Sequence, residues 1–172
     1  MKRIKIILGI ITTLILAFFL TGLVVGEVVY TNEVQINKPV NEVFADFQNV
    51  DLMKQWMPEV KSIETLEEKT NKVGSTYRVV VDNQGRMVTM TEEILAFEEN
   101  KRITFHFDAE SISKIDDYVF FSEGNTTKII QTTTSTSESY IMSCLLPYFK
   151  SKPRRISQQY LDQFKKASEA YN

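Results

Sequence analysis

VQINKPVNEVFADFQNVDLMKQWMPEVKSIETL, residues 34–66, changes its hydrophobic period twice, and those changes decide the architecture. The stretch Val28–Ile36 that leads into it is rich in β-branched and aromatic residues with partial alternation, the pattern of a strand. Asn37, Lys38 and Pro39 break it. Pro39 at a first helical position, followed by Val40, Val43, Phe44 and Phe47, supplies the i, i+3, i+4, i+7 stripe of a short amphipathic helix. Asp51 is suited to cap a second short helix carrying Leu52, Met53 and Trp56, which Pro58 stops.

Outward from there the period becomes that of strands. Segments 60–66, 76–81, 87–97, 102–108, 114–121 and 127–136 all read as strands. They are separated by turns at Gly74, Gly85 and Gly124 and by the polar run Glu98, Glu99, Asn100, Lys101. Seven strands joined mostly by short hairpins imply an antiparallel meander. Tyr140–Phe149 is apolar but crossed by Pro147, which predicts an irregular or short helical approach. From Pro153 onward, Ile156, Tyr160, Phe164, Ala167 and Tyr171 recur at three to four and make one apolar face along a helix of about five turns. The order is strand, two short helices, six strands, long terminal helix. It predicts an α+β helix-grip fold, a curved seven-stranded antiparallel sheet wrapped around the long C-terminal helix, with the two short helices closing one end.

The other end of the chain carries a different signal. Residues 6–25 form an uncharged apolar run, and twenty helical residues at about 1.5 Å each span roughly the 30 Å hydrocarbon core of a bilayer. Lys2, Arg3 and Lys5 flank it on the amino side, so residues 1–5 are expected to stay in the cytoplasm and the 26–172 domain to be exported at the cell membrane. The rival is a cleaved signal peptide, which would make the domain secreted. The length of the run and its exit through Val24, Val25 and Gly26 favour the single-pass anchor. Gly9 and Gly22 form no G-x-x-x-G motif, so no helix pairing is inferred from them.

Composition excludes several classes. The chain has 172 residues, and everything after Gly26 carries 17 bases against 22 acids, so the domain lacks the basic footprint of a nucleic-acid binder. A single cysteine, Cys144, excludes an intramolecular disulfide and any multi-cysteine zinc site. No dinucleotide fingerprint, phosphate loop or metal-ligand spacing occurs, so no cofactor or metal is expected. Lys150, Lys152, Arg154, Arg155, Lys165 and Lys166 give the C-terminal region a basic surface, read as a solvated face.

In this arrangement the chain resembles the START-related superfamily of ligand-binding and polyketide cyclase/dehydrase-like domains, often called SRPBCC. Pro39, Val43, Phe44, Trp56 and Pro58 stand where that family has a proline-started helix with an apolar V-F pair and a short helix ending in W-x-P. The likeness continues through VGSTYRVVV, ILAFEENKRITFHF and LLPYFKSKPRRISQQYLDQFKKASE, and so covers residues 28–170. It implies an elongated apolar cavity between sheet and long helix, used by different members for lipids, quinones, sterols or polyketides. The family shares no single catalytic set. An N-terminal membrane segment departs from its usual soluble cytosolic member.

Side chains alternate along a strand, so Tyr77, Val79 and Val81 share one face and Ile103, Phe105 and Phe107 another, both expected to look inward. With Phe164 on the helix, and with Trp56 and Met57 near an entrance by the family analogy, these are the candidate ligand-binding residues. His106 falls on the opposite face from Phe105 and Phe107 and has no nucleophile placed beside it by any motif. Cys144 reads as a buried small hydrophobe. Asp116-Asp117 and Glu92-Glu93 are adjacent pairs within strands; a straight strand would turn one member of each inward, where desolvation would raise its pKa. The reading adopted is that a bulge or strand end leaves both members of each pair in water. The function expected is a membrane-anchored domain that binds a small hydrophobic or amphipathic ligand. The alternatives are a cyclase/dehydrase-like enzyme using a pocket carboxylate and a protein-interaction module with a filled core.

Overall fold

A computed structural model describes residues 2–109 and 112–171 of the chain. The element order is α1 (Lys2–Val24), β1 (Val28–Ile36), α2 (Val40–Gln48), α3 (Val50–Trp56), β2 (Val60–Glu67), β3 (Thr76–Asn83), β4 (Arg86–Glu98), β5 (Arg102–Ala109), β6 (Ile112–Glu123), β7 (Thr126–Ser137), α4 (Tyr140–Phe149) and α5 (Ser151–Ala170). All seven strands form one antiparallel sheet in the order β1-β7-β6-β5-β4-β3-β2. Strands β2 to β7 are a meander, and the α2–α3 connection lets β1 close the far edge against β7. The two-residue turn between β3 and β4 places Gln84 at φ 56° and Gly85 at φ 89°. Paired positive values there match the right-handed twist of the flanking strands, and glycine adopts its own at no steric cost.

Strand β1 alternates strictly, burying Val28, Tyr30, Asn32, Val34 and Ile36. Helix α5 lies over these residues: the Asn32 side-chain amide donates to Arg154 O at 2.9 Å and to Gln158 Oε1 at 3.0 Å, and Tyr30 Oη stands 3.4 Å from Ser157 Oγ. Phe47 of α2 is the centre of the packed end, with its ring centroid 5.4 Å from Trp56, 4.8 Å from Tyr118, 5.4 Å from Phe120 and 5.3 Å from Phe164. One ring thus joins two helices and the sheet to α5.

Two expectations are corrected here and one is met. Asn49, not Asp51, caps α3, accepting from the amides of Asp51 and Leu52; its side chain can reach both orphan donors only from the position before the helix. Tyr140–Phe149 is a short helix, one of the two forms expected, with Pro147 inside it. Gly22 does pair helices, within the chain: α1 crosses α4 there, and a Cβ at position 22 would overlap Cys144 Sγ. The crossing stacks Phe18 on Tyr148 at 6.3 Å and Phe19 on Tyr140 at 6.2 Å, and it buries Cys144 completely.

A buried ion pair holds the far end of α5. Asp46 accepts from Lys38 Nζ at 2.9 Å and from Ser168 Oγ at 2.7 Å, while Lys38 Nζ also donates to Ser168 O at 3.2 Å and Tyr171 O at 3.1 Å. Removing one member leaves the other charge buried without its partner. Asp46→Ala is expected to cost about 3 kcal/mol in urea unfolding, and Asp46→Asn, which keeps an acceptor for Ser168, clearly less. Equal losses in the two variants would show that packing and not charge holds this end.

Candidate functional site

Helix α5 is divided along its length. Leu161, Phe164 and Ala167 pack in the core, whereas Pro153, Ile156, Ser157 and Tyr160 of its first half line a cavity of about 530 Å³. The opposite wall is the concave face of the sheet, and α3 with Met53, Trp56 and Met57 closes the side. Such a volume falls within the range of small-molecule sites, about 300–1,000 Å³. Side chains do not fill this space, so the premise of a filled core fails.

Eight of the nine candidate residues share this wall: Trp56, Met57, Tyr77, Val79, Val81, Ile103, Phe105 and Phe107. Phe164 does not. Its ring is fully buried between Phe47 and Trp56, with centroids at 5.3 Å and 5.1 Å, and supports the wall from behind. The helical stripe that contains it rotates gradually past the cavity, so its N-terminal members face the void and its later ones the core. Tyr171 lies beyond the helix end and is exposed.

The acid pairs overturn the expectation that both members of each reach water. Neither strand has a bulge between them, so each pair splits across the sheet. Asp117 points away and pairs with Arg102 at 2.7 Å. Asp116 is 3% exposed on the cavity wall, where Lys114 Nζ donates to Oδ2 at 2.7 Å and Thr133 Oγ1 donates to Oδ1 at 2.6 Å. Lys114 also lies over the Phe107 ring, 4.5 Å from its centroid. Glu92 is on the same wall, and burial among apolar side chains pushes its carboxyl up to about 7, with Lys114 opposing and Asp116 reinforcing the shift. His106 faces the other way, with Nε2 2.8 Å from Ser113 Oγ.

Three buried polar atoms of cavity-wall residues have no hydrogen-bond partner among the described residues: the indole Nε1 of Trp56, a donor, the carboxylate Oε2 of Glu59, an acceptor, and Oε1 of Gln131, an acceptor whose amide nitrogen donates to Tyr118 Oη at 3.0 Å. Buried polar groups are nearly always satisfied, so these three mark where a bound molecule would offer one acceptor and two donors. The sequence did hold a signal for the polar wall. Counting back by two from the apolar pair Phe120 and Tyr118 reaches Asp116 and Lys114, and from Ile94 reaches Glu92.

Comparison with known proteins agrees with this geometry. A family model described as polyketide cyclase / dehydrase and lipid transport matches residues 27–140. Among solved structures, an aromatase/cyclase from Streptomyces superposes with a TM-score of 0.70 at 15% identity, covering 83% of this chain and 94% of that one. A Thermus thermophilus protein gives 0.68 at 20% identity over 83% and 98%, and a START superfamily protein from Mycobacterium smegmatis gives 0.62 at 15% over 82% and 94%. At these identities the likeness is one of fold. No curated protein matches in sequence.

The folded chain holds the Glu92 proton more tightly than the unfolded one, from an ordinary value of 4.5 to about 7. Its contribution to stability is fully present below pH 4.5 and is lost as pH rises through about 7. Glu92→Gln is therefore expected nearly to match the wild type at pH 4.5 and to exceed it by about 3 kcal/mol at pH 8, read as a rise in Tm. An equal difference at both pH values would show that the carboxyl is not desolvated.

Proposed function

Because the chain belongs to the polyketide cyclase, dehydrase and lipid-transport family, we propose that it is a membrane-anchored domain that binds a small amphipathic ligand of lipid or quinone type. The observation that carries this reading is the cavity of about 530 Å³, whose wall is mostly apolar but includes the unpaired Trp56 Nε1 and Gln131 Oε1. Burial of an apolar body needs only a dry concavity, and the few polar groups orient it. Contact with the ligand falls to Trp56, Met57, Tyr77, Val79, Val81, Ile103, Phe105 and Phe107, with Phe164 behind them. Glu92 and the Lys114–Asp116 pair receive its polar end.

Anchoring through residues 6–25 is supported by the length of α1, which is long and apolar enough to cross a bilayer, and by its packing on α4. Cleavage after the run would uncover Cys144 and the tyrosines stacked on Phe18 and Phe19. The basic flank orients the amino terminus inward and the domain outward.

A second reading, a cyclase- or dehydrase-like activity, is favoured by Glu92 alone, since a cavity carboxyl titrating at about 7 can give or take a proton at neutral pH.

Purified full-length chain is expected to carry about one apolar molecule per chain into an organic extract. The double variant Val81→Trp, Met90→Trp, which narrows the cavity from one wall, is expected to carry clearly less. Equal extracts from the two proteins in the same detergent would refute a cavity ligand. If the bound molecule is turned over, Glu92→Gln abolishes turnover while retaining it in the extract; undiminished turnover would end the enzymatic reading. Protease added to intact cells is expected to digest the domain, and protection until lysis would contradict export.

A further inference from the structure

Helix α4 exposes four large side chains that the rest of the domain does not cover: Tyr140 at 43%, Ile141 at 59%, Tyr148 at 59% and Phe149 at 63%. What it packs on is α1, at Phe18, Phe19 and Gly22. This places α4 at a definite depth, given the reading of α1 as an anchor, on which the argument rests. Gly22 lies about 4.5 Å and Phe18 about 10 Å along the helix from Val25, where the apolar run ends. Helices that lie in a membrane interface are buried about 5–10 Å. With ten residues α4 is about 15 Å long, half of what crossing would need. Tyr140 and Tyr148 bring the amphipathic rings typical of that level.

The charge pattern agrees. Lys150, Lys152, Arg154 and Arg155 follow α4 directly and are all exposed, and among the described residues no side-chain partner of opposite charge meets any of them. Further along the same helix, Lys165 pairs with Glu169 at 2.8 Å. Four cations without an ion pair thus stand together where the chain would leave the bilayer, although Lys166 further along α5 is also exposed and without one.

We propose that α4 is a second membrane element, an interfacial helix lodged beside the exit of α1, with Lys150, Lys152, Arg154 and Arg155 resting on anionic lipid headgroups. Pro153 and Ile156, one turn later, are on the cavity wall. The cavity wall therefore begins within one turn of the proposed headgroup contact.

The test uses the full chain in phosphatidylcholine vesicles whose lipids carry quenching bromines either near the headgroup or at the chain ends. Indole is introduced at α4 by Phe149→Trp and, independently, by Ile141→Trp, and in the middle of α1 by Leu16→Trp; native Trp56, 2% exposed, is the background. The α4 indoles are expected to be quenched at least about twofold more by bromines near the headgroup, and the Leu16→Trp indole more by those at the chain ends. Adding about 30 mol% phosphatidylglycerol deepens α4 quenching, and replacing all four basic residues by Gln removes that gain. If both α4 indoles stay as unquenched as Trp56 while the Leu16→Trp indole is quenched, the α4 proposal is overturned and the anchor stands. Stronger quenching of the α4 indoles from the chain ends overturns interfacial seating. An unquenched Leu16→Trp indole overturns the anchor and this proposal together, and a lack of response to anionic lipid overturns the headgroup contact.

Discussion

The ring of Phe47 is the contact on which the rest of the molecule turns. It touches Trp56 of α3, Tyr118 and Phe120 of the sheet and Phe164 of α5 at once, so it fixes where the long helix can press against the concave face. The ion pair of Lys38 and Asp46 locks the same end. A straight helix held down at one end of a curved sheet cannot follow it at the other. The first half of α5 therefore faces open space, and the cavity is the consequence of where the aromatic cluster sits.

That space is apolar in bulk and polar at chosen points. The register between β5, β6 and β7 brings Phe105, Asp116 and Thr133 into one row across the concave face, and Phe107 and Lys114 into the next. Asp116 is neutralised by Lys114 and held by Thr133. Glu92 lacks such a partner close at hand, and its raised pKa is the result. A wall of this kind favours an amphiphile with a neutral, hydrogen-bonding end over a bare hydrocarbon or a strong anion, because an anion would meet Glu92 and Asp116 without enough positive charge to offset them.

The two ends of α5 thus have different tasks. Its C-terminal half carries packing, and its N-terminal half forms the cavity wall and continues from α4, the element that meets α1. Chain continuity from α4 into α5 couples the contact with α1 to the cavity through fewer than fifteen residues.

Much of this was legible in the residues themselves. Every strand, the two short helices and the terminal helix follow from apolar periods of two and near 3.6, and the cavity-lining face of β3 and β5 follows from simple alternation. Periodicity is local, so it reads such features well. It could not show that Asn49 and not Asp51 caps α3, since both are capping residues two positions apart, nor that Asp46, charged and on an amphipathic helix, is buried opposite Lys38 and Ser168. Phe164 and Ile156 share one helical stripe, yet one packs in the core and the other borders the void. The pairing of Gly22 with Cys144 joins residues far apart in the chain. By itself the sequence determined which elements form and which faces are apolar, because those depend on neighbours along the chain; only the tertiary structure decided how far each face is covered, because that depends on the angle at which α5 meets the sheet.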